Sequence, residues 1–141
     1  MHHILFIGTT MMVGSLAFTV LLFGVANRAI TWINRTGWLR QGSTAHVVLN
    51  LIVALIWIII VLTLSVWAWA VLYMHLGLFE ELEPALYFSV VSFTTVGFGD
   101  IVLEPGFRLY AGMTATHGLL IFGLFTAFLI EILKRSRPAN E

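Results

Sequence analysis

The stretch TTVGFGD, Thr94 to Asp100, sets two glycines one residue apart, with an aromatic between them and an acid directly after. Gly97 and Gly99 take positive φ at little steric cost. Alternating them with Val96 and Phe98 lets successive backbone carbonyls point the same way. Four copies around one axis would stack rings of carbonyl oxygens, with a ring of Thr95 hydroxyls beneath. Such rings replace the hydration shell of a dehydrated cation. The chemistry offered is coordination and release of an ion.

A segment of this kind needs elements to carry it. Three apolar runs are long enough to cross a bilayer, whose hydrocarbon core of about 30 Å takes about 20 helical residues. Ile4 to Ala26 and Val47 to Met74 hold no charged residue, and Asn50 is the strongly polar break in the second. Leu109 to Ile130 is broken by His117. The first run lacks the Lys or Arg of a signal peptide's n-region and exceeds a usual h-region. A fourth stretch, PALYFSVVSFT from Pro84 to Thr94, is apolar but too short to span, the length of a re-entrant or core helix. Pro84 suits a first helical turn. Glu80, Glu81 and Glu83 precede it, on the side where a helix favours negative charge.

Composition agrees. The 141 residues are 60% hydrophobic and 10% charged, against the roughly 25% charged usual in soluble domains. Formal net charge is zero, which gives nucleic acid no electrostatic handle. Cysteine is absent, excluding disulfides and thiol chemistry. No nucleophile has a plausible base beside it, no metal cluster is visible and no Walker-type loop occurs. An enzyme is not expected.

Lys and Arg mark cytoplasmic ends of spans. Arg28, Arg35 and Arg40 lie between the first and second runs, and Lys134, Arg135 and Arg137 follow the third. Glu80, Glu81, Glu83, Asp100 and Glu104 lie between the second and third. The N-terminus is therefore expected outside and the C-terminus in the cytoplasm, most naturally in a plasma (inner) membrane. The short helix and TTVGFGD then enter and leave from the outer face. Trp69 and Tyr73 read as an outer interfacial belt or as packing aromatics, and Trp32 and Trp38 as the inner counterpart.

TTVGFGD resembles the signature of potassium channels, in the variant with Phe where many have Tyr. HGLLIFG, His117 to Gly123, is similar to the inner helix of simple prokaryotic members. The resemblance covers about residues 47–134. It implies an all-α membrane protein of three transmembrane helices, a re-entrant pore helix and a selectivity-filter loop, assembled as a homotetramer. Residues 1–45 would form an extra N-terminal helix and an Arg-containing loop, and 46–141 a pore domain. Within that domain the outer helix is expected at 47–75, the pore helix at 84–94, the filter at 95–99 and the inner helix at 108–134.

By the same resemblance Thr95, Val96, Gly97, Phe98 and Gly99 are the ion-binding residues, with potassium held at Thr95, Val96, Gly97 and Phe98. Thr94, Asp100, Tyr87, Phe88 and Val91 occupy filter-support positions. Gly118, Leu119, Phe122, Thr126 and Ala127 occupy cavity or gating positions. Potassium, membrane lipid and further copies of the chain are the expected partners, with no cofactor beyond bound potassium.

The chain departs from the pattern in places. Phe98 has no hydroxyl, and the Phe88 and Val91 side chains neither donate nor accept, so a thin network around Asp100 is expected. No Arg series of a voltage sensor is visible, and four residues after Arg137 are too few for a sensing domain. Gly118 reads equally as a hinge or a packing glycine, and Gly123 as packing. His117, inside a span, is either a functional group or an interhelical hydrogen-bond partner. His75 and His117 are the candidates for sensing pH. Glu131 is expected to pair with Lys134 or Arg135 at helical spacing. Potassium-selective conduction is the leading expectation. A weakly selective cation channel and a non-conducting membrane subunit stand beside it.

Overall fold

The computed structural model describes residues 2–35 and 43–136. Among the described residues all regular structure is helical: α1 (His2–Arg35), α2 (Thr44–His75), α3 (Leu82–Phe93) and α4 (Arg108–Ser136). Three of the helices contain spans long and apolar enough to cross a membrane, over His2–Trp32, Thr44–His75 and Arg108–Lys134. α3 has 12 residues, about 18 Å at 1.5 Å per residue, and cannot cross. The chain is an all-helical integral membrane protein. Trp38, Arg40 and Arg137, assigned from sequence to the inner face, lie outside the described residues.

Local chemistry sets the helix ends. Ser43 caps α2 in an extended conformation, and its hydroxyl accepts from the His46 N–H at 3.3 Å. α2 stops at Gly77, which takes φ 70°. The Gly77 N–H donates to the Met74 carbonyl at 2.9 Å and the Leu78 N–H to the Tyr73 carbonyl at 3.0 Å. These are the two bonds of a Schellman ending. Pro84 falls in the first turn of α3, where its missing N–H costs nothing, and Glu83 puts a negative charge in that turn. At the far end the Thr94 N–H and hydroxyl both donate to the Val90 carbonyl, at 2.9 and 2.8 Å. α4 is approached by a turn in which the Phe107 N–H meets the Glu104 carbonyl at 2.8 Å, and Arg108 Nε donates to the Leu103 carbonyl at 3.1 Å.

The buried residues of α2 fall at spacings of three and four: Asn50, Ala54, Ile58, Val61, Ser65, Trp69 and Tyr73. That stripe receives α3 and α4. α3 lies between them, tied to α2 by the Ser89 hydroxyl donating to the Val66 carbonyl at 2.8 Å. α1 runs alongside α4 in the same direction. Gly8 meets Met113 near one end, and Phe23 stacks on Phe128 with ring centroids 4.5 Å apart near the other.

The interfacial-belt reading of Trp69 and Tyr73 is corrected here. Both are completely buried. Each has a polar partner on α4, which turns it inward: Trp69 Nε1 donates to His117 Nδ1 at 2.7 Å, and the Tyr73 hydroxyl bonds to the Thr114 hydroxyl. An aromatic with one polar atom can be buried at little cost when that atom is satisfied. Trp32, by contrast, is exposed.

Candidate ion-conducting site

The segment after α3 is irregular. Its first bonds fold it back on the helix: the Thr95 N–H donates to the Ser92 carbonyl at 3.0 Å, and the Gly97 N–H to the Val91 carbonyl at 3.2 Å. Positive φ then recurs at every second residue, with Thr95 at 61°, Gly97 at 54° and Gly99 at 78°. Val96 and Phe98 between them do not share it. This alternation is the backbone condition under which successive carbonyls can face one side.

The ion-binding position of Thr95 is expected from sequence, but its positive φ is not. Left-handed backbone costs an L-residue roughly 1–2 kcal/mol, and a β-branched residue is the last type expected there. Among the described residues it is the one non-glycine with positive φ. Strain of this kind persists where the surroundings over-determine it. Here the surroundings include the two backbone bonds to α3.

Every side chain from Thr94 to Asp100 is exposed in the single chain, Phe98 to 71%. Irregular backbone at membrane depth must be buried in protein or line a water-filled path.

Behind the segment, Tyr87 on α3 donates its hydroxyl to Asp100 Oδ2 at 2.5 Å, and Asp100 Oδ1 accepts the Ile101 N–H at 3.0 Å. The hydrogen bond from Tyr87 holds the Asp100 carboxyl below its ordinary range. The same bond pushes the Tyr87 phenol up. The network around Asp100 is thin, as expected: Tyr87 is the one side chain bonded to it among the described residues, and the Phe98, Phe88 and Val91 side chains add nothing. Phe88 is buried away from the segment, edge-on to Tyr73 at 5.4 Å. Val91 contributes its carbonyl, which accepts from Gly97, and its side chain is buried.

The end of α3 rests on α4. A Cβ at position 118 would fall 1.8 Å from the Phe93 carbonyl oxygen, so only glycine admits this approach. Gly118 is thereby a close-packing residue in this structure. A Cβ at Gly123 would meet nothing within 4 Å, so Gly123 has no such role within the chain. Leu119, Phe122, Thr126 and Ala127 lie on an exposed face of α4. Gly112, Thr116, Gly123 and Ile130 extend that face at spacings of three and four. Phe122 also touches Phe93 edge-on, at 6.2 Å, and the Thr126 hydroxyl is turned to the Phe122 carbonyl at 3.0 Å. His117, one residue from Gly118, is buried on the other side, against Trp69.

Neither the curated proteins nor the solved structures compared with the chain include a match. Residues 56–135 match the family model described as ion channel. That stretch is more than half of the 141 residues and takes in most of α2, all of α3 with its irregular segment, and nearly all of α4. The chain belongs to the ion channel family.

Proposed function

We propose that four copies of the chain form a potassium-selective channel, with the carbonyls of Thr95, Val96, Gly97 and Phe98 lining the filter. The observation that carries this reading is the alternation of positive φ at Thr95, Gly97 and Gly99 directly after a short apolar helix. Rings of such carbonyls exchange for the hydration shell of potassium. Among the described residues the chain has one such segment and leaves it exposed, and symmetric closure by further copies would cover it. α3 would aim its C-terminal end, negative by the helix dipole, toward the ion path and favour a cation there. The exposed face of α4 with Leu119, Phe122, Thr126 and Ala127 would line the cavity below.

An ion channel domain passes ions passively down their gradient, and no cofactor is needed beyond the permeating ion. The charge bias supports an N-terminus outside and a C-terminus in the cytoplasm of a plasma membrane. A weakly selective cation channel would share the fold, and a non-conducting subunit would share the family. Flux of potassium and of sodium through purified protein in liposomes separates the three. Potassium flux without comparable sodium flux supports the proposal. Equal fluxes favour the weakly selective channel, and no flux favours the non-conducting subunit.

A further inference from the structure

We propose that His117 is a proton-sensitive positioning residue, and that conduction requires its neutral form. The inference rests on the reading of the chain as a conducting channel and adds a control element to it.

The geometry begins with the tautomer. His117 Nδ1 accepts the Trp69 Nε1–H at 2.7 Å. A neutral imidazole that accepts at Nδ1 carries its proton on Nε2. His117 Nε2 is buried and has no hydrogen-bond partner among the described residues. The ring is completely inaccessible and stands edge-on to Phe93, with centroids 5.4 Å apart at 85°. Phe93 is the last residue of α3, and its carbonyl is the one seated on Gly118. Two consecutive residues of α4 therefore do linked work. His117 ties α4 to α2, and Gly118 receives the end of the pore helix.

A second proton changes this locally. Imidazolium donates at both nitrogens and accepts at neither. Nδ1–H would then face the Trp69 N–H, donor against donor, and the bond between α2 and α4 would be lost. A charge would also appear in an apolar setting, which is unfavourable unless it is paired. Among the described residues, the side chains packed around His117 supply no counter-charge. α2 presents Trp69 and the Tyr73 phenol, which is already bonded to Thr114. α3 presents the Phe93 ring, and the Phe93 carbonyl is seated on the neighbouring Gly118. α4 itself offers Thr114 and, further along, the buried Tyr110. α1 passes this level between Gly8, beside Met113, and Phe23, beside Phe125. Its residues from 9 to 22 include no titratable side chain. Relief comes from movement of α4 away from α2, which withdraws the seat under the Phe93 carbonyl and unsettles the filter above it.

The test is potassium flux through the purified protein in liposomes of phosphatidylethanolamine and phosphatidylglycerol. Flux is measured from about pH 8 to about pH 4, across the range in which histidine gains its charge. Flux at pH 8 tests the channel reading by itself. Given that flux, acid should reduce it about tenfold or more, the population shift expected from a lost hydrogen bond together with a buried charge. His117→Asn places an amide oxygen where Nδ1 accepts and cannot titrate. It should conduct at pH 8 and lose the acid response, whereas His75→Asn should keep it. Trp69→Phe removes the donor that opposes protonation of Nδ1 and should move the acid midpoint to higher pH. A flat profile in the unmodified protein overturns the proposal, as does an unchanged acid response in His117→Asn. Should His117→Asn fail to assemble, Trp69→Phe decides: an unmoved midpoint also overturns it.

Discussion

The carbonyl oxygen of Phe93 stands 1.8 Å from the place a Cβ on residue 118 would occupy. The short helix that precedes the candidate filter therefore ends directly on the backbone of the inner helix. No side chain lies between them to absorb a change. Gly118→Ala forces either α3 or α4 to move, and overpacking of a rigid contact costs on the order of 3 kcal/mol. We expect this variant to lose conduction and to unfold at a lower temperature in detergent. Gly24→Ala, where the added methyl meets nothing, should keep both. Equal thermal stability of Gly118→Ala and the unmodified protein would show that the contact has no such role.

The alternation at Thr95, Gly97 and Gly99 makes a second prediction. Gly97→Ala and Gly99→Ala each put a Cβ on backbone with φ of 54° and 78°. Each should cost roughly 1–2 kcal/mol in that conformation and abolish selective flux, while chemical cross-linking still reports the proposed tetramer. Retained selectivity in both variants would remove the segment from the ion path.

Tyr87 and Asp100 give a prediction about pH and about potassium. Asp100 is held below its ordinary range by the Tyr87 hydroxyl, so its contribution is present above that range and is lost as pH falls through the lowered value. Tyr87 is raised, so its contribution is present below the ordinary tyrosine range and is lost as pH rises through the raised value. The brace is intact across neutral pH. Tyr87→Phe removes it at all pH values. Bound potassium favours the conducting shape of a filter, so the variant should depend more steeply on external potassium. Open probability against external potassium, for both proteins at neutral pH, checks this. Identical curves would show that the hydrogen bond does not hold the filter.

These contacts also mark where the sequence was readable. The three spans follow from uncharged length alone, and α3 from a run too short to cross with Pro84 at its start. Gly97 and Gly99 announce their backbone because only glycine takes positive φ freely. Thr95 does not, since nothing in a threonine signals left-handed strain. Tyr87 reads as a support position, but its bond to Asp100 spans 13 positions, the end of α3 and the irregular segment after it, and depends on where that segment turns. Trp69 and Tyr73 read from sequence as belt or packing aromatics, and the choice waits on their partners, His117 and Thr114, more than 40 residues away on another helix. Gly118 reads from sequence as hinge or packing, and the nearby Phe93 carbonyl gives it a packing role.

The charge bias predicts that position 81 faces outside and position 134 the cytoplasm. Both are exposed in the structure. Glu81→Cys should react with an impermeant thiol reagent in whole cells, and Lys134→Cys should react only after permeabilisation. The chain has no cysteine of its own to interfere. The reverse labelling would invert the topology and place the filter mouth on the cytoplasmic side.

The central claim is selective passage of potassium through the Thr95 to Gly99 segment. It is tested most directly by the reversal potential of current through purified protein in a planar bilayer, with potassium on one side and sodium on the other. The account predicts a reversal displaced strongly toward the potassium equilibrium potential, and loss of that displacement in Gly97→Ala. A reversal near zero in the unmodified protein would mean that both ions pass alike and would contradict it.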